Sequence, residues 1–275
     1  MQDTSALARI LTLVRDLRKR CPWDAAQTLQ TLRPYLVEEV LELDHALGAG
    51  DSARIRDELG DLLLHLAFQI VLAEERGEFG SEELARSVES KMWRRHPHLF
   101  PAGPAAAAER QSGKAAGAPA SWEHQKLAER VPGGPGMLDG LPPNLPELIM
   151  AMRLQERAAG VGFDWPDESG PFAKVAEELE ELRREAHADS DRDEDRRGET
   201  RRHEIEHEIG DLLFSVVNLA RKLGHDPRAA LEQANRRFVT RFRRMETFAA
   251  ERGIDFGRTD LHTLDGLWEE TKREG

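Results

Sequence analysis

The feature that most constrains this chain is an arrangement of acidic and apolar residues on two neighbouring helices that recurs in full elsewhere in the sequence. In the second half, Val175, Leu179, Leu182 and Ala186 repeat at helical spacing, and so do Ile205, Ile209, Leu212, Val216 and Leu219. Relative to these apolar stripes, Glu178 and Glu208 fall roughly 60° to one side, and Glu181 and Asp211 roughly 120° to the same side. Packing the stripes together with these flanks facing brings four carboxylates beside an apolar core. Uncompensated negative charge is costly there, and a divalent cation is the simplest compensation.

In the first half, Leu36, Val40, Leu43 and Leu47 form a stripe flanked by Glu39 and Glu42, and Ile55, Leu59, Leu62 and Leu66 form one flanked by Glu58 and Asp61. The short words agree as well. Glu38-Glu39-Val40-Leu41-Glu42 answers Glu177-Glu178-Leu179-Glu180-Glu181, and Gly60-Asp61-Leu62-Leu63 answers Gly210-Asp211-Leu212-Leu213. A single acidic helix is usually a solvated face. Random surface charge, however, has no reason to keep one angular offset on four helices, so the repeat reads as an internal duplication.

The 275 residues suffice for two ordinary domains, and the low aromatic content of 6% leaves cores built from Leu, Val, Ile and Ala. The predicted fold is all-α: two four-helix-bundle-like units in tandem, residues 1–100 and 144–275, joined by an Ala/Gly/Pro-rich flexible linker at 101–143 with a short helix near 121–130. In the first unit a helix over 5–20 stops at Cys21-Pro22-Trp23-Asp24. A connection containing Pro34 leads to the first acidic helix, which Gly48 and Gly50 close, and Asp51 or Ser52 caps the next. A fourth helix opens at Ser81. In the second unit a helix to about Ala159 precedes the turn through Trp165-Pro166. Asp226-Pro227 starts a long helix ending near Gly253, and a last helix covers about Asp260 to Lys272. Between the paired helices of this unit, Glu185 to Arg202 alternates acid and Arg, predicting a mobile loop or frayed helix ends.

The lone Cys21 excludes an intrachain disulfide and a cysteine zinc site, which fits a reducing cytoplasm. The N-terminus lacks an export signal, and the most apolar run, Leu62 to Ala73, is interrupted by His65 and Gln69, so no membrane span is predicted. A net charge of −12 argues against binding of a nucleic acid polymer. An anionic substrate therefore needs metal and local cations.

Oxygen ligands alone favour Mg²⁺, with Mn²⁺ as a substitute, over zinc. Such a site suits hydrolysis of a phosphate anhydride, because the ion neutralises phosphate charge and acidifies water while a spare carboxylate takes the proton. The run Asn235-Arg236-Arg237-Phe238-Val239-Thr240-Arg241 supplies cations, with Arg237 and Arg241 on one helical face, as Lys91 and Arg95 are in the first unit.

With these words assembled, the chain resembles the MazG family of nucleoside triphosphate pyrophosphohydrolases, within the all-α NTP pyrophosphatase superfamily. The resemblance rests on Glu-Glu-x-x-Glu followed by Glu-x-x-Asp, at Glu38, Glu39, Glu42, Glu58 and Asp61 and again at Glu177, Glu178, Glu181, Glu208 and Asp211. Cys21-Pro22-Trp23-Asp24 and Arg94-Arg95-His96-Pro97-His98 support it. It implies Mg²⁺-dependent cleavage of nucleoside triphosphates between the α and β phosphates, by a homodimer with broad base tolerance that cleans the nucleotide pool. Glu178, Glu181, Glu208 and Asp211 then look like metal ligands and catalytic residues, the four that the helical wheel selects. The same metal role is open to Glu39, Glu42, Glu58 and Asp61.

Lys174, Arg237 and Arg241 look like phosphate contacts, and Asn235 joins the substrate-binding set. Asn218 lies two turns beyond Asp211 on the same side, suited to a metal water or ribose, whereas the first unit has Phe68 there. The second unit is therefore the predicted catalytic half. Trp268 is suited either to stacking on the base or to packing the last helix. Arg237 stands where relatives carry Lys, which keeps charge but changes reach.

Two other readings compete. The acidic helices serve as a non-enzymatic interaction or regulatory module, or Glu204-x-x-His207 belongs to a ferritin-like di-metal protein. The latter needs a second such motif, and the first half has none at the equivalent place. His207 then reads as a solvent-facing residue.

Overall fold

The computed structural model describes residues 5–96, 99–100, 136–187 and 194–273. Every regular element among them is an α-helix, and none is long and apolar enough to cross a membrane. The chain divides into two compact units, 1–119 and 120–275. Of the predicted linker over 101–143, residues 101–135, with the short helix near 121–130, lie outside the described residues.

Unit one contains α1 (Ala6–Arg20), α2 (Pro22–Ala25), α3 (Leu29–Ala49), α4 (Ser52–Glu75) and α5 (Ser81–Arg95). Ser5 caps α1 by accepting the Ala8 N–H, and extended backbone at Cys21 ends it before Pro22 opens α2. Thr28 and Thr31 satisfy each other's backbone N–H groups in a capping box, which starts α3 at Leu29. Pro34 therefore lies inside the helix rather than in the connection ahead of it. Its missing N–H forfeits one hydrogen bond, and the reciprocal cap and the buried Leu32 offset this. Gly50 closes α3 at φ 70°, a left-handed conformation that favours glycine, and Asp51 caps α4 through the N–H groups of Ala53 and Arg54.

The core of this unit joins Leu11 and Val14 of α1 to Leu32 of α3 and to Ala67, Phe68, Val71 and Leu72 of α4. Arg15 donates to Glu74, while Arg18 donates to Glu75 and to the backbone carbonyls of Asp24 and Gln27. These bonds fasten α1 and α2 to the end of α4. Because α1 covers only this end of the α3–α4 pair, the predicted stripe is not fully buried. Val40, Leu47, Leu59 and Leu66 are exposed, with Val37, Leu41 and Leu63 beside them.

Unit two contains α6 (Glu147–Gly160), α7 (Ser169–His187), α8 (Glu194–Lys222), α9 (Pro227–Glu251) and α10 (Leu261–Arg273). The acid- and Arg-rich stretch predicted as a loop or frayed ends is helical to His187 and again from Glu194. Glu and Arg are good helix formers, so both helices run on where no apolar residue asks them to. α7 packs along α8, α6 leans on α8, and α9 packs with α10.

In the turn between α6 and α7, Asp164 accepts from Arg221 at 2.6 Å and Lys222 at 3.2 Å, tying the turn to the end of α8. Gly170 is required here: a Cβ would sit 1.9 Å from Trp165 Cδ1. Asp226 caps α9 with Pro227 at its first position, as the sequence predicts. The α9–α10 core is Met245, Ala249 and Leu267, surrounded by Phe242, Phe248, Phe256 and Trp268.

Candidate metal and nucleotide site

The α7–α8 pair brings Glu178, Glu181 and Glu208 together, each offering a carboxylate oxygen within 4.8 Å of the others. Glu178 is only 4% exposed, so the contact face of α7 takes in Glu178 rather than leaving it 60° to one side. Leu179, Ile209 and Val216 of the predicted stripes are displaced outward and exposed. Asp211 does not join this triad. It belongs to a second one with His207 and Glu208, and Glu208 is common to both.

The carboxylates have identifiable partners. Lys174 Nζ lies 2.5 Å from Glu178 Oε1 and 3.1 Å from Glu177 Oε1, and these hydrogen bonds, to Glu178 first, push the ammonium pKa up. Arg184 reaches Glu181 at 3.1 Å. His207 Nδ1 is 3.1 Å from Asp211 Oδ2 and 3.8 Å from Glu208 Oε1. The imidazole is 69% exposed, as its solvent-facing reading requires, yet it bridges two predicted ligands. The spacing of four between His207 and Asp211 signals this contact. Three converging carboxylates with two cationic partners, the half-exposed Lys174 and the exposed Arg184, leave negative charge over, and an all-oxygen donor set fits a hard divalent ion such as Mg²⁺.

The first unit reproduces only part of this. Glu39, Glu58 and Asp61 converge within 4.8 Å, whereas Glu42 turns to Glu58. Burial raises the pKa of Glu39, with Asp61 adding to it and His65 opposing it. Desolvation raises Glu58 likewise, reinforced by Glu42. Tyr35 stands where the second unit has Lys174, and its ring stacks on His65 at 6.5 Å between centroids. His65 Nε2 is 3.7 Å from Glu39, and its Nδ1 is buried with no hydrogen-bond partner among the described residues. Phe68, opposite Asn218 in the repeat, is core.

Asn218 is buried on α8, and its Oδ1 accepts from Arg221 Nε at 2.9 Å and Nη2 at 2.8 Å. That anchoring, with Asp164 behind it, is absent from the sequence reading, although the spacing of three between Asn218 and Arg221 is visible there. On α9, Asn235 and Arg237 are exposed and Arg241 is half-buried. Trp268 packs against Phe238 at 5.4 Å, with Lys272 Nζ 6.0 Å from its ring. Among the described residues, the ion-pair partners of the α7–α8 carboxylates come from α7 and α8 themselves.

A duplicated all-α chain carrying two acidic helix pairs defines a class of helical protein with carboxylate clusters able to hold a cation. The MazG nucleotide pyrophosphohydrolase domain matches it twice, over residues 27–100 and 171–246, each span enclosing one acidic pair. The nucleoside triphosphate pyrophosphohydrolase of Escherichia coli strain K12 is 36% identical over 275 residues, covering 100% of this chain and 98% of that protein. The nucleoside triphosphate pyrophosphohydrolase/pyrophosphatase MazG of Thermotoga maritima is 37% identical over 265 residues, covering 96% and 94%. The nucleoside triphosphate pyrophosphohydrolase of Mycolicibacterium smegmatis is 30% identical over a shorter span of 165 residues, 59% of this chain and 48% of that protein. This chain belongs to the MazG nucleotide pyrophosphohydrolase family.

Proposed function

We propose that the chain hydrolyses nucleoside triphosphates to monophosphate and pyrophosphate in a Mg²⁺-dependent reaction, with Mn²⁺ as a substitute, and that the second unit is the catalytic half. The observation that carries this reading is the convergence of Glu178, Glu181 and Glu208 beside Lys174. The family match and the names of its full-length relatives point the same way.

Glu178, Glu181 and Glu208 would hold the ion, and Asp211, which shares Glu208 as a neighbour, would join them by turning from His207. When bound, it supplies neutralisation of phosphate oxygens and a lowered pKa for water. Whichever of these carboxylates is not committed to the ion takes the proton from water as its oxygen bonds to the α phosphorus. The bond from that phosphorus to the bridging oxygen breaks, and pyrophosphate leaves.

Lys174 presents an ammonium at the site, and Arg237 and Arg241 neutralise the remaining phosphate charge. Asn218 commits its Oδ1 to Arg221, which fixes the amide and leaves Nδ2 to donate to a ribose hydroxyl or a bound water. Asn235 adds a polar contact. A Trp268 face stacks on any base because every base has a π-face, which gives broad base tolerance. Tyr35 and Phe68 replace Lys174 and Asn218 in the first unit, which favours a structural role there.

The active form is a homodimer in which a second copy covers the exposed apolar residues Leu213, Phe214 and Val216 of α8. It acts in the cytoplasm on the nucleotide pool. The deciding experiment measures pyrophosphate from a panel of ribo- and deoxyribonucleoside triphosphates with Mg²⁺, for wild type, Asp61→Asn and Asp211→Asn. Loss confined to Asp211→Asn supports both the activity and its location. Orthophosphate in place of pyrophosphate means another bond is cut, and no product from any nucleotide sinks the enzymatic reading.

A further inference from the structure

We propose that the N-terminal part of α8 carries a second cation site of different character, a nitrogen-containing site for a first-row transition ion, with Zn²⁺ as the fitting occupant. His203-Glu204-Ile205-Glu206-His207 places two imidazoles four residues apart, one turn along a single helical face. This His-Glu-x-x-His spacing presents a ligand pair that helices offer to zinc. A cleft of about 260 Å³ lies there, lined by Glu185 of α7 and by His203, Glu204, His207 and Glu208 of α8.

Ligand atoms of His207, Glu208 and Asp211 all lie within 4.8 Å of one another. The separations from His207 Nδ1, 3.1 Å to Asp211 and 3.8 Å to Glu208, bracket the expected ligand spacing. That spacing is about 3.3 Å in a tetrahedral shell with bonds of about 2.0–2.1 Å. His203 Nδ1 now faces Glu206 at 4.0 Å on an exposed side chain, so its swing toward the cleft breaks little and supplies a fourth ligand.

A surface ion pair explains the contact of His207 with Asp211 alone. It does not explain a second imidazole and a carboxylate from another helix around the same cleft. Imidazole nitrogen prefers zinc and its transition-metal neighbours over Mg²⁺, so the two sites differ in the ion they select. The repeat supplies an internal comparison: the first unit has Ala53 and Asp57 where this helix has His203 and His207, and so lacks the nitrogen pair.

Glu208 belongs to both triads, so occupancy of the His207 site withdraws Glu208 and Asp211 from the oxygen-ligand site. Resting on the function proposed above, Zn²⁺ is then an inhibitor that acts through its own ligands rather than by replacing Mg²⁺.

The test titrates the full chain with Co²⁺, a visible-absorbing surrogate for Zn²⁺, in excess Mg²⁺, for wild type, His203→Ala and His207→Ala. Circular dichroism establishes that both exposed-residue variants keep wild-type helicity. Wild type is expected to bind one Co²⁺ per chain with the absorption of a low-coordinate nitrogen-ligated ion, and His207→Ala to weaken binding by about tenfold or more. Wild type that binds no Co²⁺ under excess Mg²⁺, or imidazole variants that bind it as tightly as wild type, overturn the site.

In the second arm Zn²⁺ stops pyrophosphate release by wild type at concentrations at least about tenfold below those needed for His203→Ala, whose side chain touches none of the catalytic carboxylates and whose release in Mg²⁺ alone is unchanged. Equal Zn²⁺ sensitivity overturns the coupling. Absence of pyrophosphate release from wild type with Mg²⁺ alone defeats the function proposed above while the Co²⁺ titration still decides the site.

Discussion

At the scale of single residues, burial separates carboxylates that look alike in sequence. Glu178 is buried against Lys174, whereas Glu181 pairs with Arg184 nearer the surface. Glu178→Gln is expected to lower pyrophosphate release by about 10²-fold or more, the order of effect for a displaced acid-base or ligand carboxylate. Glu39→Gln should change it less than about twofold. Steady-state rates with saturating Mg²⁺ check both.

A pH dependence belongs to the other end of the first unit. The hydrogen bonds from Arg18 hold Glu75 below its ordinary value of 4.5, and at Glu74 the bonds from Arg15 and Ser81 outweigh the opposing effect of burial. A depressed folded pKa gives stability that is present above pH 4.5 and lost as pH falls through the folded value. Arg18→Met should cost about 1–2 kcal/mol near neutrality, most of it because the carbonyls of Asp24 and Gln27 lose their donor, since solvent screens the pair with the half-exposed Glu75. The cost shrinks as the medium is acidified below pH 4.5, and urea unfolding at pH 7 and pH 3 measures it. None of these partnerships is a pattern in sequence, because 57 or more residues separate each Arg from its Glu. The short-range contacts Lys174–Glu178, Arg184–Glu181 and His207–Asp211 are legible as helical spacings.

At the scale of elements, helix ends were the most readable feature. Asp226-Pro227 and Gly50-Asp51 declare their roles through backbone chemistry that needs no tertiary partner. Asp226→Ala should cost about 1 kcal/mol by removing acceptors for the N–H groups of Arg228 and Ala229. Gly170→Ala has a different origin, since its Cβ must displace the Trp165 ring. A loss of about 1–3 kcal/mol is expected, together with a change in tryptophan fluorescence in the native baseline. Proline is a stronger sequence signal than the Thr28–Thr31 capping pair, so the sequence puts Pro34 ahead of α3 whereas the cap puts it inside. The sequence places Glu178 beside the contact face of α7, and the fold places it within that face. Helical arithmetic finds the stripe, but the rotation of each helix is set by what packs against it.

At the scale of the molecule, both acidic pairs leave apolar surface uncovered within their own units. Val40, Leu41, Leu59 and Leu63 in the first and Ile209, Leu213, Phe214 and Val216 in the second are all exposed. Burying such rows in a homodimer offsets the free energy of leaving them in water. Wild type is expected to sediment as a dimer at micromolar concentration, and Leu213→Glu to shift the equilibrium toward monomer. A wild-type monomer sinks the dimer, and an unchanged mass for the variant removes α8 from its interface. Mg²⁺ should raise the melting temperature of wild type by binding the folded carboxylate triad, and Glu178→Gln should blunt that rise.

The sequence by itself determined the all-α class, the duplication and the identity of the acidic pairs. Period, propensity and repetition are properties of order along the chain, and four helices that keep the same Glu-x-x-Glu and Glu-x-x-Asp words leave little freedom. Tertiary structure alone decided that Asp211 parts from the Glu178–Glu181–Glu208 triad, that Asn218 is held by Arg221, and that Trp268 packs on Phe238. The physical reason is that helix rotation and side-chain direction depend on packing between elements distant in sequence. A few tens of degrees of rotation change which carboxylates meet while every local pattern stays the same.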